Sequence, residues 1–358
     1  MTNKLQSREF EPRKTQDTGS HLWVKDITEK SDIQATYLVK EKSVGTTRRG
    51  EPFLSLVLAD RTGEIAAKVW EGAEALSSLF SEGNIIEVSA RAGSFRGQIQ
   101  MTISSLKVVN GVDPSIFVES SPRDIEDMVK SLRKILQRIK DVHLKLLIDR
   151  FFGDHQFMSH FKSAPAAKKF HHSYLGGLLE HTLSVCKMAV LVGEHYDELD
   201  NDLLLTGAFL HDIGKTREMQ WDLLINYTDQ GRLLGHIVLG TMMVDEKLAE
   251  IKNFPEELDI RLKHLILSHH GEYEFGSPKR PKFLEAFALH LIDDLDAKIA
   301  GLGDFMEKDK KEGIWTNYNR LFERFFLKGE IITTEEKSEK SRSLDEKQRM
   351  LFSEGLEP

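Results

Sequence analysis

Cysteine is almost absent from this chain of 358 residues, with Cys186 the only one. No intramolecular disulfide can form, and its place in the apolar run "LSVCKMAVLV" assigns it to helix packing. No apolar run approaches the roughly 20 residues that span a bilayer, and the opening "MTNKLQSREFEPRKTQDTGS" lacks the hydrophobic segment of a secretory signal. A cytoplasmic protein is expected. An excess of positive charge is missing too, since the net charge is −8 at pH 7. That argues against a broad basic face that coats nucleic acid non-specifically; it leaves room for local basic sites, and for bound divalent ions that reverse the field where an anion reacts. No internal repeat is found.

What is present is ordinary soluble composition, 40% hydrophobic and 30% charged, in a chain long enough for two cores. From Leu22 to about Val109, apolar residues alternate in five short runs: "IQATYLVKE", "PFLSLVLAD", "EIAAKVW", "NIIEVSARA" and "GQIQMTISSLKVV". Each reads as a strand. A helix-like segment, "EGAEALSSLFSEG", follows the third, and five strands with a helix there is the pattern of an OB-fold β-barrel. The loop after the first strand carries Arg48 and Arg49, and that after the fourth carries Phe95 and Arg96. Guanidinium groups for phosphates and a ring for base stacking suit single-stranded nucleic acid.

"NGVDPSIFVESSPRD" reads as a linker that ends at a helix start, with Ser121 as N-cap and Pro122 at the first helical position. Seven later segments, from "IEDMVKSLRKILQRI" to "FLEAFALHLIDDLDAKIAGL", carry apolar residues at three-to-four spacing and predict an all-α domain. "QWDLLINYTDQGRLL" interrupts them as a candidate hairpin. After about residue 330, "TTEEKSEKSRSLDEKQRM" is a charged tail with little to bury. The expected organisation is a flexible segment 1–20, an OB domain 21–110, a linker 111–124, a helical domain 125–330 and a tail 331–358.

Within the helical half, "LLTGAFLHDIGKTREM" ends an apolar run with His211 and Asp212 side by side. Burying an imidazole and a carboxylate together costs several kcal/mol unless their lost hydration is compensated, and a metal ion would do so. His181 in "GLLEHTLSV", His236 in "LLGHIVLG", His269 and His270 in "LILSHHG" and Asp293 in "ALHLIDDLDAK" lie on further helices that could converge in a bundle. Imidazole and carboxylate without thiolate suit Mn, Fe, Co, Ni or Zn with open coordination positions. Seven ligands are too many for one ion that must admit substrate. Two divalent ions about 3.5–4 Å apart, bridged by Asp212, fit better; such a pair polarises a phosphoryl group and holds a hydroxide nucleophile. Neighbouring residues on a helix diverge by about 100°, so His269 and His270 both ligate only if the helix ends there, as Gly271 suggests.

His181, then His211 and Asp212 in "HDIGK", then Asp293, resembles the signature of the HD superfamily of metal-dependent phosphohydrolases. The extra His236, His269 and His270 resemble its two-metal version. With an OB-like domain ahead, and with "GHI", "SHHG", "EFGSP" and "IDDLDAK", the chain resembles the YhaM family of 3′-to-5′ exoribonucleases. That resemblance implies one ion on His181, His211, Asp212 and Asp293, and another on Asp212, His236, His269 and His270. Manganese is the expected metal. It further implies metal-dependent hydrolysis of single-stranded RNA, and often DNA, from the 3′ end to nucleoside 5′-monophosphates. Lys215, three residues beyond Asp212, would join it as a catalytic group by reaching a non-bridging phosphate oxygen, with Lys298 a weaker second cation. Lys279, Arg280 and Lys282 would guide RNA towards the metals. His171 and His172 are placed at the substrate pocket or a helix cap, and His264 and His290 beside the ligands. The cyclic-dinucleotide branch of the superfamily carries Gly-Tyr-Pro after its histidine pair; "GEYEFGSPKRPK" here disfavours it. The alternative function is a phosphohydrolase of small nucleotides with a regulatory OB domain. Apolar helix faces such as "LVGEHY" allow a homo-oligomer.

Overall fold

The alternating runs form strands. β1 (Asp32–Thr46), β2 (Pro52–Asp60), β3 (Gly63–Val69), β4 (Ile85–Phe95) and β5 (Gln98–Val109), with α1 (Ala73–Ser77) after the third, make a barrel closed in the order β1-β2-β3-β5-β4. The computed structural model describes residues 21–168 and 172–329. The expected N-terminal segment 1–20, the charged tail 331–358 and His171 lie outside the described residues.

β1 is long because it serves two neighbours: Asp32 to Leu38 pair with β4, and Leu38 to Thr46 pair with β2. The register breaks between Val39 and Glu41, a bulge that lets one strand bend across the barrel. Pairing is antiparallel except between β3 and β5. Inward residues, among them Leu54, Leu56 and Leu58 of β2 and Met101 and Ile103 of β5, fill the interior. One carboxylate is buried at the barrel wall: Asp60 accepts from the Val24 and Thr62 amides, each at 2.7 Å, and from the Thr62 hydroxyl. Burial alone would raise its pKa, but His21, Thr62 and Val24 outweigh it and hold the group below the usual carboxylate value.

Beyond the barrel run α2 (Ile125–Leu136), α3 (Val142–Gly153), α4 (His155–Ser163), α5 (Gly177–His195), α6 (Asn201–Leu210) and the short α7 (Lys215–Glu218). The hairpin β6 (Met219–Trp221) and β7 (Ile225–Tyr227) falls where the helical periodicity breaks, followed by α8 (Asp229–Leu248), α9 (Glu256–Ser268) and α10 (Leu284–Lys308). All of α6 from Leu203 to Leu210 is buried, as expected of a helix apolar on every side. Phe209 meets the rings of Phe151, Phe152 and Phe161. Leu223 and Leu224, in the hairpin turn, pack on Leu38, Ile85, Ile116 and Phe117, joining the hairpin to the barrel and its linker.

Three local readings differ from expectation. α2 is capped by Asp124, whose carboxylate accepts from the Asp127 amide at 2.8 Å, and Ser121 instead donates to Glu180 at 2.7 Å. α4 went unread because only Phe157, Met158 and Phe161 of its nine residues are buried, too few for a period to show. After Lys308 the described chain is not helical; isolated bridges pair Trp315 with Leu327 and Asn319 with Arg324. The described residues divide into two compact units, before and after the junction of His290 and Leu291. Among them no helix is long and apolar enough to cross a membrane.

Candidate metal centre and nucleic-acid surfaces

α6 delivers His211 and Asp212 from the core. His211 caps the helix, and its Nδ1 donates to the Ala208 carbonyl at 2.9 Å, leaving Nε2 with a lone pair turned inward. His181, on the buried face of α5, brings its Nε2 to 3.1 Å from that of His211. Asp212 Oδ2 is 3.6 Å from His181 Nε2 and 3.4 Å from His211 Nε2. Its other oxygen, Oδ1, is 3.4 Å from His236 Nε2 and 3.6 Å from His269 Nε2. One carboxylate therefore faces two separate imidazole pairs through its two oxygens. One ring nitrogen from each of His236, His269 and His270 lies within 4.8 Å of the others, a group that could hold a metal ion.

The rings of His269 and His270 are fixed from behind. His269 Nδ1 donates to the Ile266 carbonyl at 2.7 Å and His270 Nδ1 to the Phe275 carbonyl at 2.9 Å. α9 stops at Ser268, and Gly271 turns the chain with φ +78°, so both histidines of the pair reach the same cluster despite being neighbours. His236 is held differently: Glu218 Oε1 accepts both its amide, at 3.0 Å, and its Nδ1, at 3.2 Å. That contact depends on Gly235, whose φ of +73° and ψ of +161° break α8 immediately before His236.

The cluster fits a divalent cation. Asp212 Oδ1 and His236 Nε2 are buried, yet neither makes a hydrogen bond to any described residue. Such atoms are costly to bury without a partner of opposite character. Burial would raise the Asp212 carboxyl, but the Lys215 ammonium, followed by His211 and His269, brings it well below the usual carboxylate range. Lys215 Nζ lies 2.6 Å from Asp212 Oδ2. Asp293 is carried by α10 in the second unit, three positions beyond His290.

The residues expected around the ligands take distinct places. His290 Nδ1 donates to the His269 carbonyl at 2.9 Å, bracing the histidine pair. His264 Nε2 accepts from the Lys282 amide at 3.1 Å and so anchors the basic loop rather than a ligand. In that loop Lys279, Arg280 and Lys282 are all exposed, and Arg280 also pairs with Glu272 and lies over the Tyr273 ring. Lys298 is engaged by Asp294 at 2.7 Å. Glu180, beside His181, accepts from Ser121 and from Tyr174, and Tyr174 in turn bonds His172, whose ring sits 6.0 Å from that of His181. Trp221 donates to Ser163 at 3.3 Å, as cover of the core.

On the barrel, Arg48 and Arg49 are exposed in the β1–β2 turn. Arg96 and Gly97, both with positive φ, make the two-residue tip between β4 and β5, and the Arg96 guanidinium lies 5.3 Å from the centre of the exposed Phe95 ring. The β2–β3 face adds a group that the sequence reading missed. Phe53 and Trp70 lie 5.1 Å apart, and Lys68 is 5.0 Å from the Phe53 ring centre. Gly45 makes room for that ring, since a Cβ there would lie 2.5 Å from Phe53 Cζ. The outward positions of "PF" and "KVW" were the available signal.

Comparison with known proteins adds two domain matches. An HD domain model matches residues 178–298, and an OB-fold nucleic acid binding domain model matches residues 32–109. Among solved structures, the second OB-fold domain of replication protein A from Methanococcus maripaludis is 16% identical, over 26% of this chain and 99% of that one, with a TM-score of 0.22. The mitochondrial single-stranded DNA binding protein Rim1 of S. cerevisiae is 14% identical, over 24% of this chain and 100% of that one, with a TM-score of 0.21. A murine DNA binding protein bound with double-stranded DNA is 13% identical over 26% of this chain, with a TM-score of 0.22, and the match spans 50% of its length.

Proposed function

We propose that this chain, a metal-dependent phosphohydrolase whose HD domain follows an OB-fold nucleic-acid-binding domain, is a two-metal 3′-to-5′ exonuclease that hydrolyses single-stranded RNA to nucleoside 5′-monophosphates. The observation that carries the reading is the Asp212 carboxylate, one oxygen turned to His181 and His211 and the other to His236 and His269. Divalent cations held by these side chains and His270, with Asp293 added by the family resemblance, would supply Lewis-acid polarisation of a phosphoryl group and a nucleophile at neutral pH.

The chain's own groups do the rest. Glu218 fixes the tautomer of His236, and main-chain carbonyls fix those of His211, His269 and His270. Lys215 adds a positive charge beside Asp212, where a phosphate oxygen would need one. The arginines at the barrel tips hold the strand behind its end. The 3′ direction and the manganese preference rest on the resemblance to the YhaM family.

A 5′-labelled oligoribonucleotide incubated with Mn²⁺ is expected to shorten progressively from its 3′ end and release nucleoside 5′-monophosphates. Asp212→Ala should abolish this by losing the group that faces both imidazole pairs, while strand binding in chelator stays unchanged. Hydrolysis of mononucleotide substrates beside an intact oligomer would replace the proposal with the small-nucleotide reading.

A further inference from the structure

The second unit carries a surface that the metal centre and barrel do not use. From Lys308 to Gly329 the chain holds six basic residues against three acidic ones, a net of +3 within a protein of net −8. Trp315, Tyr318 and Phe325 are 47%, 50% and 53% exposed, unusually open for rings of this size. They line one cleft of about 740 Å³ with Lys311, Arg324 and Glu323. Tyr318 meets Phe325 edge-on at 5.2 Å between ring centres, and Lys311 Nζ lies 5.4 Å from the centre of the Phe325 ring.

The rings are held on a built scaffold. Lys328 Nζ bonds Asp309 Oδ1 at 2.7 Å, and Asp309 also accepts from the amides of Lys311 and Asn317. These contacts hold the Asp309 carboxyl down at about 2. Thr316, fully buried, accepts from the Phe326 amide at 3.0 Å, and Asn319 closes the turn through the amides of Leu321 and Phe322. Rigid open rings interleaved with cations are what a single strand needs: planar faces for bases and charge for phosphates.

We propose that this cleft is a contact for single-stranded nucleic acid additional to the barrel, with Trp315, Tyr318 and Phe325 stacking bases and Lys311 and Arg324 meeting phosphates. A second copy of the chain is the rival occupant. A two-fold interface would set the patch against itself and bring like charge to like charge, whereas a polyanion complements it.

The test uses the full chain in EDTA, so that it reads binding and not hydrolysis. A 12-nucleotide oligouridylate carrying 5-iodouridine is expected to crosslink, under ultraviolet light, to the peptide between Lys311 and Lys328. Trp315→Ala with Tyr318→Ala and Phe325→Ala should weaken its binding about tenfold or more, while Trp315→Phe keeps the crosslink and reports a folded unit. Lys311→Ala with Arg324→Ala should flatten the dependence of log affinity on log salt by about 0.7 per cation removed. Crosslinks confined to the barrel, unchanged affinity in the triple variant, or a change in sedimentation with unchanged affinity would each overturn the proposal. Loss of exonuclease activity alone would not touch it.

Discussion

A histidine that ligates a metal through one nitrogen is oriented by whatever holds the other. In this centre the rings of His211, His269 and His270 are backed by main-chain carbonyls, and that of His236 is backed by the carboxylate of Glu218. A charged partner raises the basicity of the ring it orients, which makes Glu218 an informative replacement outside the candidate ligands. Glu218→Ala is expected to lower divalent-cation affinity about 10- to 100-fold, with Glu218→Gln losing less because its amide oxygen can still accept from the ring and the His236 amide. Isothermal titration with Mn²⁺ measures both, and equal affinities for the two variants and the parent would remove Glu218 from the site.

At the scale of elements, the cluster depends on how closely α8 approaches the turn after α6. Gly214 packs on the α8 backbone so tightly that a Cβ would lie 1.9 Å from the His236 carbonyl oxygen and 2.5 Å from the Gly240 nitrogen. Both obstacles are main chain and cannot swing aside. Gly214→Ala should cost about 3 kcal/mol, read as a lower urea midpoint at constant slope, and should reduce metal binding by pushing His236 from Asp212. A midpoint equal to the parent's would mean that the turn has slack the packing does not show. Elsewhere, α4 and α8 are tied by one carboxylate: Asp154 caps α4 through the Phe157 amide at 2.9 Å and bonds Lys247 at 2.9 Å. The cap, with help from Lys247, outweighs the opposing effect of burial and holds its pKa below the ordinary aspartate value. Because the folded pKa is the lower, this contribution is fully present above the unfolded pKa and is lost as pH falls through the folded one. Asp154→Ala should therefore destabilise by about 1 kcal/mol near neutrality, the typical worth of such a cap. The variant's melting temperature should also fall less steeply than the parent's as the solution is acidified below about pH 4. Parallel melting curves would leave Asp154 without that role.

For the whole molecule, what could be read in advance was set by where chemistry interrupts a pattern. The barrel was legible because its inward residues alternate with polar ones, and five such runs admit few closures. The candidate ligands were legible as a cluster because His181, His211, Asp212 and the pair at 269 and 270 break or end apolar helical runs, where a buried polar group is an anomaly. Glu218 was not, because a glutamate on a short surface helix looks like any solvated charge until the Gly235 break turns His236 towards it. Phe53 and Trp70 escaped for the converse reason: alternation marks the buried face, and outward rings read as noise until Gly45 is found clearing space beside one of them. Those rings bear on how a protein of net charge −8 holds a polyanion, since its attraction must be local. If the tips supply it, Arg48→Ala, Arg49→Ala and Arg96→Ala together should weaken binding of a long single strand and reduce the slope of log affinity against log salt by about 2, at about 0.7 for each phosphate no longer neutralised. Hydrolysis of a substrate too short to reach the barrel should be unchanged. Unchanged binding and an unaltered salt slope in that variant would point instead to stacking on Phe53 and Trp70, because a base on a ring releases no counterion. The two modes then separate in one titration series, with Trp70→Ala as the complementary variant that lowers affinity and leaves the slope alone.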